Sequence, residues 1–146
     1  MTPIAKKDLP ENIKKFLLLI SETEGTDKHK KPYNCLFTHK YFEGYTTHPN
    51  KVITSGSIKS TAAGRYQILK RTFDDLKGTS FTPEAQDELA VKLLKRRNAY
   101  SLALNGKFRE AILKCNREWA SLPESPYGQP THSMKYCLDF INSIKL

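Results

Sequence analysis

One apolar stripe constrains this chain more than any other feature. Ile13, Phe16, Leu17 and Ile20 follow one another at steps of three and four, and Glu24 extends the same line directly before Gly25. At 3.6 residues per turn, this spacing puts all five side chains on one face of a helix. Gly25 tolerates positive φ and marks the helix end. The chain must therefore bury the stripe against other elements while carrying a carboxylate on its last turn. Burial disfavours the ionised form, as does the negative end of the helix dipole, so both push the Glu24 pKa upward. A carboxylic acid that keeps its proton near neutral pH can serve as a general acid. The competing reading is a helix-end glutamate paired with one of the many lysines. Glu22 is the internal control: it lies about 200° around the helix from Ile20 and is expected to face solvent.

With 146 residues the chain is expected to form a single domain, 1–146, with a hydrophobic core. A hydrophobic fraction of 38% argues against disorder, and the longest unbroken apolar run, Phe16 to Ile20, is far too short for a membrane span. Asp8, Pro10 and Glu11 interrupt any signal-peptide pattern after Lys6 and Lys7. Synthesis in a cytoplasm is the expectation. Three widely spaced cysteines, Cys35, Cys115 and Cys137, are odd in number and fit a reducing compartment. His29, His39, His48 and His132 are scattered without ligand spacing, so neither a metal nor another cofactor is expected. The net charge of +9 attracts polyanions, whether nucleic acid, anionic membrane or anionic wall polymer.

Along the chain, residues 11–24 read as the first helix. The texture from about 25 to 58 is rich in Tyr, Thr, Pro, Gly and His, with short extended runs at 33–37 and 52–54, and reads as a small β lobe. Helical pattern returns at 66–76. Thr82-Pro83-Glu84 is a strong helix start, with an N-cap before proline, and that helix runs to about Arg97. Phe108, Ile112, Cys115 and Trp119 mark another helix after the Asn105-Gly106 turn, and Leu138, Ile141 and Ile144 a closing one. The expected fold class is α+β and mostly helical, with a helical lobe and a small β lobe flanking a cleft.

Several further strings suit a sugar-binding cleft. In Ser60-Thr61-Ala62-Ala63-Gly64-Arg65-Tyr66-Gln67, small residues let backbone approach a ligand, while Tyr66 and Gln67 offer a flat apolar face and an amide. An ordinary loop-to-helix turn is the commoner meaning of such a string. Gln86 faces inward on its helix, either capping a backbone group or lining the cleft. Trp119 continues an inward stripe and reads as core, whereas Tyr127-Gly128-Gln129 again sets an aromatic beside an amide.

Taken in order, Ser21…Glu24-Gly25-Thr26-Asp27, Tyr45…His48-Pro49, Ser60 to Gln67, Gln86-Asp87, Trp119-Ala120-Ser121-Leu122-Pro123 and Tyr127-Gly128-Gln129 resemble the lambda-type phage endolysins. Ala63 to Gln67 is also similar to the Gly-x-x-Gln signature of soluble lytic transglycosylases. The resemblance covers roughly residues 13–140 and implies a lysozyme-like fold. It implies cleavage of the bond between N-acetylmuramic acid and N-acetylglucosamine in peptidoglycan, as a lytic transglycosylase forming 1,6-anhydromuramoyl ends. It places the catalytic glutamate on Glu24 and sugar-binding positions on Ser60, Tyr66, Gln67, Gln86, Tyr127 and Gln129. It further implies a monomer acting on peptidoglycan glycan strands, made in the host cytoplasm and released to the wall through a holin-type pore.

The chain departs from the family pattern at Gly44 and Thr47, where acidic residues are expected, at Lys28, Lys30 and Lys31, and at Glu124 in place of glycine. Asp27, just beyond the helix end, reads as a turn hydrogen-bonder and not as a second catalytic carboxylate. A hydrolytic muramidase is the nearest alternative. A basic nucleic-acid-binding domain, using Lys92, Lys95, Arg96 and Arg97 on one helix, is the rival from another class, and a non-catalytic wall-binding module a further one.

Overall fold

The computed structural model describes residues 1–146. Six α-helices and one two-stranded sheet make up its regular structure: α1 (Glu11–Thr23), β1 (Ile53–Ser55), β2 (Ile58–Ser60), α2 (Lys70–Asp75), α3 (Pro83–Arg96), α4 (Tyr100–Leu104), α5 (Phe108–Cys115) and α6 (Met134–Ser143). The mostly helical α+β class agrees with the sequence reading.

The stripe of α1 is buried as its spacing demands, and Leu18 and Leu19 are buried as well. Helices α3, α4 and α6 pack around it, which makes α1 the central element of a core that also takes in Leu93, Leu94, Ile112, Trp119 and Ile141. Each such fully buried aliphatic or aromatic side chain contributes about 1.5–3 kcal/mol. On α3, Thr82 caps the start by accepting from the Ala85 N–H at 3.1 Å, and Pro83 occupies the first turn. Cys35, Cys115 and Cys137 are free and buried, where they pack as small hydrophobes.

Between α1 and α2 the structure differs from the expected β lobe at 25–58. Its only paired strands are β1 and β2, antiparallel in the register Ile53↔Ser60 and Ser55↔Ile58, so the hairpin runs two residues past the expected limit. Of the extended run expected at 33–37, Cys35 and Leu36 are extended and bridge Tyr41 and Ala63, whereas Pro32–Asn34 forms a single 3₁₀ turn and Phe37 leads into a turn with Thr38 and His39 at φ 69° and 67°. Pro32 opens the first, and side chains satisfy the neighbouring backbone: Asn34 Nδ2 donates to the Phe42 carbonyl at 3.1 Å.

The helix expected over 66–76 is confined to Lys70–Asp75. Gly64 and Gln67 both adopt positive φ, 81° and 50°, which no right-handed helix can contain. Instead Ala63 and Ile68 pair antiparallel and close a loop over residues 64–67. Likewise α5 stops at Cys115, and Trp119 reaches the core from the turn beyond. No helix is long and apolar enough to cross a membrane.

Candidate active site

The end of α1 is a Schellman motif. Gly25, at φ 78°, donates to the Glu22 carbonyl at 3.1 Å, and Thr26 donates to the Ser21 carbonyl at 3.1 Å. A side chain at Gly25 would be strained by that φ and would meet His39 Cε1 at 2.8 Å. The motif fixes Glu24 as the last right-handed residue of the helix and aims its carboxylate into a groove of about 600 Å³. His39 holds the same corner through Nε2, which donates to the Glu24 carbonyl at 3.1 Å.

Glu24 is half-buried, and loss of water raises its pKa from 4.5 to about 7. The Ser121 hydroxyl, which donates to Glu24 Oε2, and the Ser121 backbone both pull in the opposite direction. Desolvation wins, so the carboxyl keeps its proton to a much higher pH than an ordinary glutamate. No lysine pairs with it; its partner is the hydroxyl.

Beneath the groove lies a polar network that is largely closed to water. Arg65 is fully buried: Nε donates to Ser21 Oγ at 2.9 Å, one Nη2 bond reaches Asp27 Oδ1 at 3.0 Å, and the guanidinium also takes the Thr2 and Pro3 carbonyls. Thr26 Oγ1 donates to the Arg65 carbonyl at 2.6 Å, which leaves Ser21 Oγ as the donor to Thr26 Oγ1 at 3.0 Å. Asp27 is therefore the buried ion-pair partner of Arg65, a different role from the turn bond expected of it.

Ser60, Gln67, Tyr127 and Gln129 line the groove with Glu24, as do Ile58 and Trp119. Ser60 comes from β2, and Tyr127 and Gln129 come from the loop after Pro123. The Gln67 amide nitrogen donates to the Cys35 and Gly64 carbonyls at 3.2 and 3.0 Å, fixing the side chain at the groove wall. Tyr66 and Gln86 lie elsewhere. The Tyr66 ring is fully buried, its hydroxyl donating to Asp87 Oδ1 at 2.6 Å, while Trp119 Nε1 donates to the Tyr66 carbonyl at 2.9 Å. Gln86 is also fully buried: Oε1 accepts from the Arg65 N–H at 2.9 Å, and Nε2 donates to the Tyr33 and Phe81 carbonyls at 3.0 and 2.9 Å. A Cβ at Gly64 would stand 2.4 Å from that Oε1, so glycine is required there. Neither Tyr66 nor Gln86 is placed to touch a ligand in the groove; both hold the 64–67 loop.

Glu22 is half-buried and accepts from the Tyr136 hydroxyl on α6. The roles of Ser121 and Arg65 carry no local signal in the sequence: the Ser121 contact to Glu24 spans 97 residues and the Arg65 pair with Asp27 spans 38. No group of three or more His, Cys, Asp or Glu side chains is arranged to hold a metal ion.

A carboxyl of raised pKa lies in a polar-rimmed groove between a hairpin and helices, and the chain that builds this arrangement is similar to known proteins. The sequence model described as Endolysin matches residues 14–143. The chain is 37% identical over 129 residues to the endolysin of Escherichia phage lambda, covering 82% of each chain. The chain belongs to the endolysin family. The endolysin of Escherichia phage P2 is also similar, at 34% identity over 144 residues, with 86% of this chain and 87% of that one covered.

A solved structure of bacteriophage lambda lysozyme complexed with a chitohexasaccharide superposes with a TM-score of 0.86 at 33% identity, covering 92% of this chain and 94% of that one. A second lambda lysozyme structure gives 0.77 at 32% identity, with 92% of both chains covered. The fold is lysozyme-like, and this endolysin is a lysozyme-like enzyme that degrades peptidoglycan.

Proposed function

We propose that Glu24 is the catalytic acid–base of a lytic transglycosylase that cuts the β-1,4 bond between N-acetylmuramic acid and N-acetylglucosamine. In its protonated form, Glu24 gives its proton to the glycosidic oxygen as the bond from the muramic C1 breaks. The carboxylate left behind takes the proton of the muramic 6-hydroxyl as that oxygen closes on C1, giving a 1,6-anhydro ring and restoring the acid. Atoms and charge balance without water. An attached hydroxyl has a large effective concentration, so no second carboxylate is needed to position a nucleophile.

The observation that carries this reading is the isolation of Glu24. Glu118 is the one other carboxylate lining the groove, and it is bound to Arg96 and Arg97. Asp27 is committed to Arg65. Ser60, Gln67, Tyr127 and Gln129 contact the sugars in this proposal, with Tyr66 and Gln86 positioning the loop that carries Gln67. Residues 1–146 act as one catalytic domain. Family membership supports action as a monomer on the cell wall and release from the host cytoplasm through a separate holin-type pore.

Digestion of purified peptidoglycan followed by mass analysis of the muropeptides tests the chemistry. Muramoyl ends one water lighter than hydrolytic ones are expected. Free reducing ends would instead make the enzyme a hydrolytic muramidase.

A further inference from the structure

The basic end of α3 is not merely a solvated face. Arg96 and Arg97, together with Arg117, line the same groove as Glu24. Glu118, only 6% exposed at its side chain, holds the first two in place. Its Oε1 accepts from Arg97 Nε at 2.7 Å and from Arg96 Nε and Nη2 at 3.0 and 2.8 Å, and its Oε2 accepts from Arg96 Nη2 at 3.0 Å.

Both guanidiniums are thus anchored from one side, while both terminal nitrogens of Arg97 and Nη1 of Arg96 have no partner in the chain. Arg117 pairs with no carboxylate. Three guanidiniums against one carboxylate leave a local excess of positive charge, with Arg96 and Arg97 held in place by Glu118 and Arg117 exposed beside them, an arrangement that suits a second planar oxyanion. The site is close to the chemistry. Glu118 precedes Ser121, the donor to Glu24, by three residues, so at most about 11 Å separates their Cα atoms.

We propose that Arg96, Arg97 and Arg117 form an anion subsite for a carboxylate of the peptide stem carried by muramic acid. The enzyme then selects peptide-bearing peptidoglycan over an unsubstituted amino-sugar strand. This inference rests on the reading of the groove as the glycan site. A strand of neutral N-acetylated sugars offers hydroxyls and acetamides but nothing to answer the charge excess, whereas a stem attached to the bound strand delivers its carboxylate at high effective concentration. Charge-assisted hydrogen bonds of this kind support a preference of about tenfold or more.

Soluble glycan strands in three forms test it: with intact stems, with stems removed by an amidase and the lactyl carboxylates so freed then amidated, and with stem carboxylates chemically amidated. Wild-type kcat/KM is expected to be about tenfold higher on intact stems than on either other form, chiefly through KM. Arg97→Gln and Arg117→Gln should each bring the ratio toward one, and Arg97→Lys should restore part of it. Because Arg117 makes no ion pair, its substitution leaves the Glu118 network standing and separates recognition from folding. Equal wild-type rates on intact and amidated stems, or variants that keep the full preference, would overturn the subsite while leaving the role of Glu24 untouched. Failure to cleave any of the three would remove the underlying reading, and the subsite with it.

Discussion

The floor under Glu24 and the two lips above it are held by different means. The floor is made of fully buried polar side chains, each with its partners: Arg65 with Ser21 and Asp27, Gln86 with three backbone groups, Thr26 with the Arg65 carbonyl. The lips are the β1–β2 hairpin and the loop after Pro123. Ile58 is 40% exposed and Tyr127 53%, and the Tyr127 hydroxyl reaches only the Arg117 carbonyl, at 2.7 Å. An unsatisfied polar group costs far more in the floor than on a lip, because water can replace the lost partner only outside. Placement of the acid is therefore tightly constrained, while the lips, which we propose grip the strand, are held by fewer buried polar partners. Floor substitutions should strike the chemistry or the fold; lip substitutions should strike affinity.

The largest effect is expected from Glu24→Gln, which keeps the shape of the floor and removes its proton. Turnover of peptidoglycan, followed by turbidity clearance, should fall by about 10²–10⁴-fold while binding to sedimented walls persists. Arg65→Met tests the floor as structure. It leaves Asp27 buried without its partner, and chemical denaturation should show a loss of about 3–5 kcal/mol.

The pH dependence of stability distinguishes the two regions further. The folded pKa of Glu24 is raised from 4.5 to about 7. Its contribution is therefore fully present below the unfolded pKa and declines as pH rises toward about 7. Glu24→Gln abolishes this decline, so above neutrality the variant should be more stable than wild type by up to about 3 kcal/mol.

Smaller effects sharpen the contrast. Ser121→Ala removes a donor that favours the charged carboxyl. The Glu24 pKa should rise, and the alkaline limb of kcat/KM should move to higher pH. Tyr127→Ala, on the lip, should change stability by no more than about 0.5 kcal/mol and raise KM several-fold with kcat nearly preserved. A stability loss as large as that of Arg65→Met would erase the distinction between floor and lip.

Legibility in the sequence divides instead between local and long-range signals. The α1 stripe and its Glu24-Gly25 ending were readable because helical period and glycine stop signals are local. The start of α3 was readable from Thr82-Pro83 for the same reason. What escaped was set by long-range partners. The 66–76 segment carries helical composition, yet positive φ at Gly64 and Gln67 turns the chain, and that turn is fixed by Gln86 from another helix. Tyr66 and Gln86 were candidates for sugar contact because their chemistry suits it; burial against Asp87 and the 64–67 backbone gives them interior work instead. Asp27 and Arg65, 38 residues apart, form a buried pair that no periodicity announces.

The most direct test is a carbon-13 NMR titration of the Glu24 carboxyl, assigned by comparison with Glu24→Gln. A midpoint near 7 is expected, close to the alkaline limb of the pH–rate profile. A midpoint near 4.5, with activity unaffected by its ionisation, would contradict a proton-bearing acid at the end of α1.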